Sequence, residues 1–199
     1  MTNKNRRINT VTKFKHLMID LETMGNKPDS AIVAIGAVPF DVASGVTADT
    51  LFYEVVDLHS SASYGGSIDA DTVLWWLDKS DNARSEITNS EKAVHLPTAL
   101  VNLDMFVSKY CDDRVQVWGN GSNFDNVILR AAYEQCHIAP FWKHWNDRDV
   151  RTIVELGRNA GIDPKKDFPF VGDAHNALDD ALHQVNYVTA IHQHLFKNF

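Results

Sequence analysis

Asp20 and Glu22 stand two residues apart in LMIDLETMG, at the end of an apolar run that reads as a β-strand. Residues i and i+2 of a strand project from one face, so the two carboxylates lie side by side. Close anions raise one another's pKa unless a cation intervenes, and magnesium prefers oxygen ligands of this kind. Asp125 follows Asn123 and Phe124 in GNGSNFDNVILR, just inside an expected helix start. In DAHNALDDALHQV, Asn176 is a good N-cap, making Ala177, Leu178 and Asp179 the first helical positions. Asp179 is then expected to bond amides at the helix start, while Asp180, one step further round, points toward a metal. His175 stays on the approach loop, placed to take a proton from a bound water.

This set supplies what phosphodiester hydrolysis demands. Two ions about 4 Å apart hold the scissile phosphate, activate a water and stabilise the leaving oxygen. Asp20 is expected to bridge both ions, Glu22 and Asp180 to hold the water-bearing one, Asp125 to hold the other, and His175 to act as base. Each piece alone also has a bland reading. Asp-x-Glu is common in acidic chains, and a first-turn acid serves the helix dipole. The remaining histidines (His16, His59, His95, His137, His144, His183, His192 and His194) are taken as ordinary side chains.

The positioning elements follow from hydrophobic pattern. In residues 16–22, Leu17, Ile19 and Leu21 face one side and Met18, Asp20 and Glu22 the other, which indicates a central strand covered on both faces. Strands are expected at 31–40 and 50–58, and short connections make these three an antiparallel meander. Residues 59–71 read as a polar loop, with Asp71 or Thr72 capping a short helix that carries Trp75 and Trp76. A helix over 97–110 leads to a strand at 114–119, and Ser122 or Asn123 is expected to cap a helix of 123–136. An edge strand at 145–150, a helix near 151–160 and a last helix after His175 complete the chain. The expected class is α/β, a mixed five-stranded sheet (three-strand meander plus parallel strands) with helices on both faces.

With 199 residues and 44% hydrophobic content, the chain suits one domain with a substantial core. The expected division is a flexible basic segment over 1–14 and a single domain over 15–199. No apolar run approaches the roughly 20 residues of a membrane span, and a secretory signal pattern is lacking, so a cytoplasmic setting is expected. Cys111 and Cys136 are read as small packing residues. The net charge of −7 argues against a nucleic-acid partner only superficially, because bound cations would offset the clustered carboxylates. Local clusters (Lys4, Arg6 and Arg7; Lys143, Arg148 and Arg151; Lys165 and Lys166) are candidate contacts for a phosphate backbone, although a solvated surface accounts for most of them.

In order and spacing these motifs resemble the DEDDh branch of 3′→5′ exonucleases, a group that includes ribonuclease T and proofreading exonuclease subunits. Asp20-Leu21-Glu22 matches the first motif, Asp125 centres the second, and His175 with Asp180 matches the third. IDLETMG, Trp75-Trp76, Phe124-Asp125 and WNDRDVRT are similar to phage and prophage exonucleases of the exonuclease A type, from about Lys15 to Leu195. The resemblance implies a ribonuclease-H-like fold, two Mg²⁺ ions with Mn²⁺ as substitute, and release of nucleoside 5′-monophosphates from single strands with a free 3′ end. DNA is slightly favoured over RNA, and relatives include monomers and homodimers. Implied substrate contacts are Thr23, Met24, Gly25, Trp75, Trp76, Asn123 and Phe124, with Trp76 slightly preferred as the stacking face. Where relatives carry a further hydroxyl residue after the motif, this chain has Met24. A non-catalytic binding module on the same fold would have lost a metal ligand, and none is missing. A haloacid-dehalogenase-like phosphatase would want Asp where Glu22 stands.

Overall fold

The run Phe14–Thr23 is apolar on both faces, and in the computed structural model it forms the central strand β1. Residues 13–46, 50–88 and 91–197 are described, without the side chains of Glu86 and Lys165. Most of the expected basic segment over 1–14, including Lys4, Arg6 and Arg7, lies outside the described residues. β1 pairs antiparallel with β2 (Ile32–Asp41) and parallel with β5 (Cys111–Gly119). β6 (Asp147–Asp149) lies parallel beyond β5. On the other side β2 pairs with β3 (Gly45–Val46) and β4 (Phe52–Val55), both antiparallel. The sheet thus has six strands, the expected five and the short β3. That hairpin closes because Asp41 Oδ1 accepts from the amides of Ala43 and Ser44 at 3.0 and 2.9 Å.

Alternation along β1 divides the interior. Leu17, Ile19 and Leu21 join a core with α4 (Leu96–Tyr110) and α5 (Asp125–Gln135). Met18 joins the opposite layer with α6 (Val150–Asn159) and α8 (Ala177–Leu195). Period two then places Asp20 and Glu22 on the α8 side. Gly36, the register partner of Asp20, lets α8 approach. A Cβ there would stand 2.2 Å from the Ala177 carbonyl oxygen, so a side chain would lift the first turn of α8 off β2. Asn176 caps that turn as expected, accepting from the amides of Leu178 and Asp179 at 3.0 and 3.2 Å.

Several local expectations need correction. The expected third strand ends early, and the expected loop begins as α1 (Leu58–Ser63), capped by Asp57. Its serines look like loop residues but act as buried acceptors: Ser61 Oγ takes the Ile32 amide at 2.9 Å and Ser60 Oγ the Leu96 amide at 3.0 Å. α2 (Ala70–Leu77) is capped by Asp69, not by Asp71 or Thr72, whose amides donate to it. α3 (Asp81–Thr88) and α7 (Pro164–Asp167) were not anticipated. α3 is mostly polar and gives the core Ala83 and Ile87, too few apolar positions for a periodic signal. α5 starts at Asp125 after Phe124, which makes no capping side-chain bond, so neither Ser122 nor Asn123 is its cap. Among the described residues no helix is long and apolar enough to cross a membrane.

Candidate active site

Three elements deliver the acidic residues to one place. β1 carries Asp20 and Glu22, the end of β5 turns into α5 at Asp125, and α8 carries Asp180. Glu22, His175 and Asp180 each offer a ligand atom, all within 4.8 Å of one another. Asp125 is buried, and its Oδ1 accepts from the Leu21 amide at 3.2 Å, between the two acids of β1. Asp20 Oδ1 accepts from Gln184 Nε2 at 2.7 Å. The trio thus includes His175, the expected base, while Asp20 and Asp125 flank it.

The electrostatics match this crowding. Burial, then the charges of Asp125, Glu22 and Asp180, push the Asp20 carboxyl well above its usual range. Burial, then Asp180 and Asp125, raise Glu22 to about 9. Burial raises Asp125 to about 7 against backbone hydrogen bonds that pull it down, and burial also raises Asp180. The nearby cations, Arg151 for Asp125 and His175 and His183 for Asp180, do not offset that burial. An oxygen-rich set with one imidazole can hold a hard divalent cation.

His175 has a φ of 71°, left-handed and uncommon for a side chain of this size. Its amide donates to Asp180 Oδ2 at 2.9 Å, which ties the loop to the helix it precedes. The ring meets Trp75 edge-on, centroids 4.8 Å apart. Asp179 does not serve the helix start as expected. Its Oδ2 accepts from the Asp173 amide at 2.8 Å, pinning the approach loop.

The expected substrate contacts separate. Trp76 is buried and its indole N–H donates to Thr23 O at 3.0 Å, so the slight preference for Trp76 as stacking face is corrected. Trp75 is 41% exposed, with Lys79 Nζ 4.3 Å above its ring. Helical rotation forces this division, since adjacent residues point about 100° apart. Met24 is buried and its amide is spent on Ala31 O at 2.8 Å. The Thr23 hydroxyl donates to Gly25 O at 2.6 Å, and Gly25 is buried against Ser30. Asn123 is exposed, and Phe124 packs partly into the core. Arg148 donates to the carbonyls of Trp145 and Asp147, while Asp149 accepts from the amides of Ser122 and Thr152 and joins the 120–124 turn to α6.

Gln184 was missed. It lies one turn after Asp180, on the same face of α8, and that i, i+4 relation was the available signal.

Over residues 15–192 the sequence matches the family described as the 3′-5′ exoribonuclease Rv2179c-like domain. An exodeoxyribonuclease of Enterobacteria phage T4 is 26% identical over 160 residues, 69% of this chain and 70% of that protein. Among solved structures, cell-death related nuclease 4 (CRN-4) superposes with a TM-score of 0.60 at 14% identity over 92% of this chain, which spans 64% of that chain's length. The nuclease domain of 3′hExo, a DEDDh family member bound to rAMP, gives 0.55 at 14% identity, covering 95% of this chain and 96% of the other. S. pombe Pop2p, in a form with Mg²⁺ and Mn²⁺ bound, gives 0.62 at 12% identity, covering 90% and 83%. At such identities the structures attest the fold, which is the ribonuclease-H-like one expected. The chain belongs to the Rv2179c-like family, and it is a 3′→5′ exonuclease.

Proposed function

We propose that Asp20, Glu22, Asp125 and Asp180 hold two Mg²⁺ ions, replaceable by Mn²⁺, and that His175 is the general base for hydrolysis at a 3′ end. The observation that carries this reading is the meeting of Glu22, His175 and Asp180 within 4.8 Å, with Asp20 and Asp125 alongside. When bound, the ions would supply Lewis acidity at the phosphate and ease ionisation of the attacking water. The chain's own residues do the rest. Asp180 holds the His175 amide, so the ring stays beside the carboxylates and a neutral imidazole can take the water's proton. Gln184 orients Asp20, and the Leu21 amide orients Asp125. Trp75 offers an exposed face for a base, the kind of contact that tolerates any sequence.

Residues 15–199 act in this reading as one exonuclease unit on single strands, releasing nucleoside 5′-monophosphates. DNA is the first substrate reading, supported by the T4 relative's description as an exodeoxyribonuclease. RNA is the second, supported by the family's description as exoribonuclease. Matched 5′-labelled DNA and RNA strands with Mg²⁺ test both. A ladder shortening from the 3′ end is expected, faster on DNA, and Asp125→Ala should abolish it with the fold intact. Retained activity would remove Asp125 from the mechanism, and cleavage inside a circular strand would overturn the 3′-end reading.

A further inference from the structure

Between α6 and α8 lies a cavity of about 520 Å³ whose lining includes Asn120, Arg151, Arg158, His183 and Tyr187. Three of its lining residues neighbour the acidic cluster. His183 follows Asp180 by one turn, the Asn120 backbone bonds the Asp125 carboxylate, and Tyr187 feels the charges of Asp20 and Asp180.

Arg151 stands out on that wall. It is the second residue of α6, where a cation opposes the helix dipole. Its side chain is exposed, and the guanidinium carbon stands 3.4 Å from where a Cβ of Gly121 would be. Ion pairs among the described residues engage Arg84, Arg130, Arg158 and Lys166, and Arg151 is in none of them, although its charge reaches the Asp125 and Asp149 carboxylates. A guanidinium fork matches a phosphate's paired oxygens, and one that lines a cavity without a close ion pair is free to accept it.

Strand polarity selects the phosphate. Beyond the scissile bond the terminal nucleotide ends in a free 3′ hydroxyl, so any further phosphate lies on the 5′ side. We propose that Arg151 binds the phosphate one nucleotide 5′ of the scissile one, with Asn120 and Tyr187 walling the site of that nucleotide. The inference rests on the exonuclease reading above.

The test uses a pentadeoxynucleotide and its analogue with a neutral methylphosphonate at that single linkage, scoring release of the first nucleotide. For the wild-type chain, KM should be at least tenfold higher on the analogue. Arg151→Gln should raise KM on the parent strand to the analogue's level, with kcat changed less than threefold, and should treat the two strands alike. Arg151→Lys should restore part of the discrimination. The salt dependence of binding should also weaken, its log–log slope falling by about 0.7 for one lost single-strand phosphate contact. The proposal is overturned if wild type does not discriminate, if Arg151→Gln still does, or if kcat alone falls. Failure of wild type to shorten the parent strand would instead overturn the exonuclease reading.

Discussion

Gln184 Nε2 donates to Asp20 Oδ1 at 2.7 Å, joining α8 to the central strand one turn beyond Asp180. Gln184 is buried, and its own Oε1 has no partner among the described residues. A buried amide in that position serves the carboxylate, since it fixes which Asp20 oxygen stays free. Gln184→Leu removes a hydrogen bond to a charged group, worth about 1.5–3 kcal/mol, and leaves Asp20 free to turn. Losing such a partner of a ligating group costs roughly 10–100-fold in metal affinity. The Mg²⁺ concentration for half-maximal activity should rise by that factor, and an unchanged titration would deny Gln184 its orienting role.

Charge crowding sets the second expectation. Glu22 is pushed from its usual 4.5 to about 9 by burial and by Asp180 and Asp125. Its folded pKa is raised, so its contribution to stability is full below 4.5 and is lost as pH rises toward 9. In the absence of divalent ions, Glu22→Gln should therefore melt higher than wild type at pH 8, by an amount on the order of 2 kcal/mol. Added Mg²⁺ should raise the wild-type Tm and leave the variant's nearly unmoved, while the variant is inactive. Equal melting in chelator would show that the metal-free acids do not strain the fold.

Sequence legibility followed the same physics. Period two along Leu17–Glu22 assigned every side chain of that stretch to its layer, because both layers are apolar and the two acids interrupt only one of them. The cap at Asn176 was legible because an Asn before an apolar helical stripe has one common use. Ser60 and Ser61 misled because a buried serine and a loop serine look alike until the amides they serve, Leu96 and Ile32, are known. Gln184 and the division of labour between Trp75 and Trp76 depend on where α8 and α2 lie against β1, which no local pattern states.

His16 gives stability a pH dependence away from the site. Its Nδ1 accepts from the Trp118 indole N–H at 3.1 Å, and burial lowers its pKa from 6.5 to about 4. Protonation would place a second hydrogen in that contact. The unfolded chain takes up the proton below 6.5 and the folded one only near 4, so stability is full above 6.5 and is lost as pH falls toward 4. Allowing for solvent screening at this partly exposed ring, the loss is about 1–2 kcal/mol. His16→Gln, which can still accept from Trp118, should lose less stability than wild type between pH 6.5 and 4. Parallel denaturation midpoints over that range would remove His16 as the cause.

Trp75 and Trp76 adjoin in sequence, yet their substitution should fail in different ways. Trp76 is 3% exposed and packs with Met24 and Ala31, its N–H on Thr23 O, so Trp76→Ala opens a cavity beneath the first acidic motif. That costs about 3–5 kcal/mol and lowers Tm by roughly 10 °C for a domain of this size. Trp75 touches His175 and Lys79 from an exposed position, so Trp75→Ala gives up little packing. A lost base stack is worth about 1–3 kcal/mol, which appears as a KM rise of roughly 5–150-fold on single strands with Tm held within about 2 °C. Trp75→Phe, which keeps a ring, should recover most of the KM. The pair separates because one indole holds the strand that bears the acids and the other faces whatever enters beside them; a Trp75→Ala chain that melts early and binds normally would reverse that assignment.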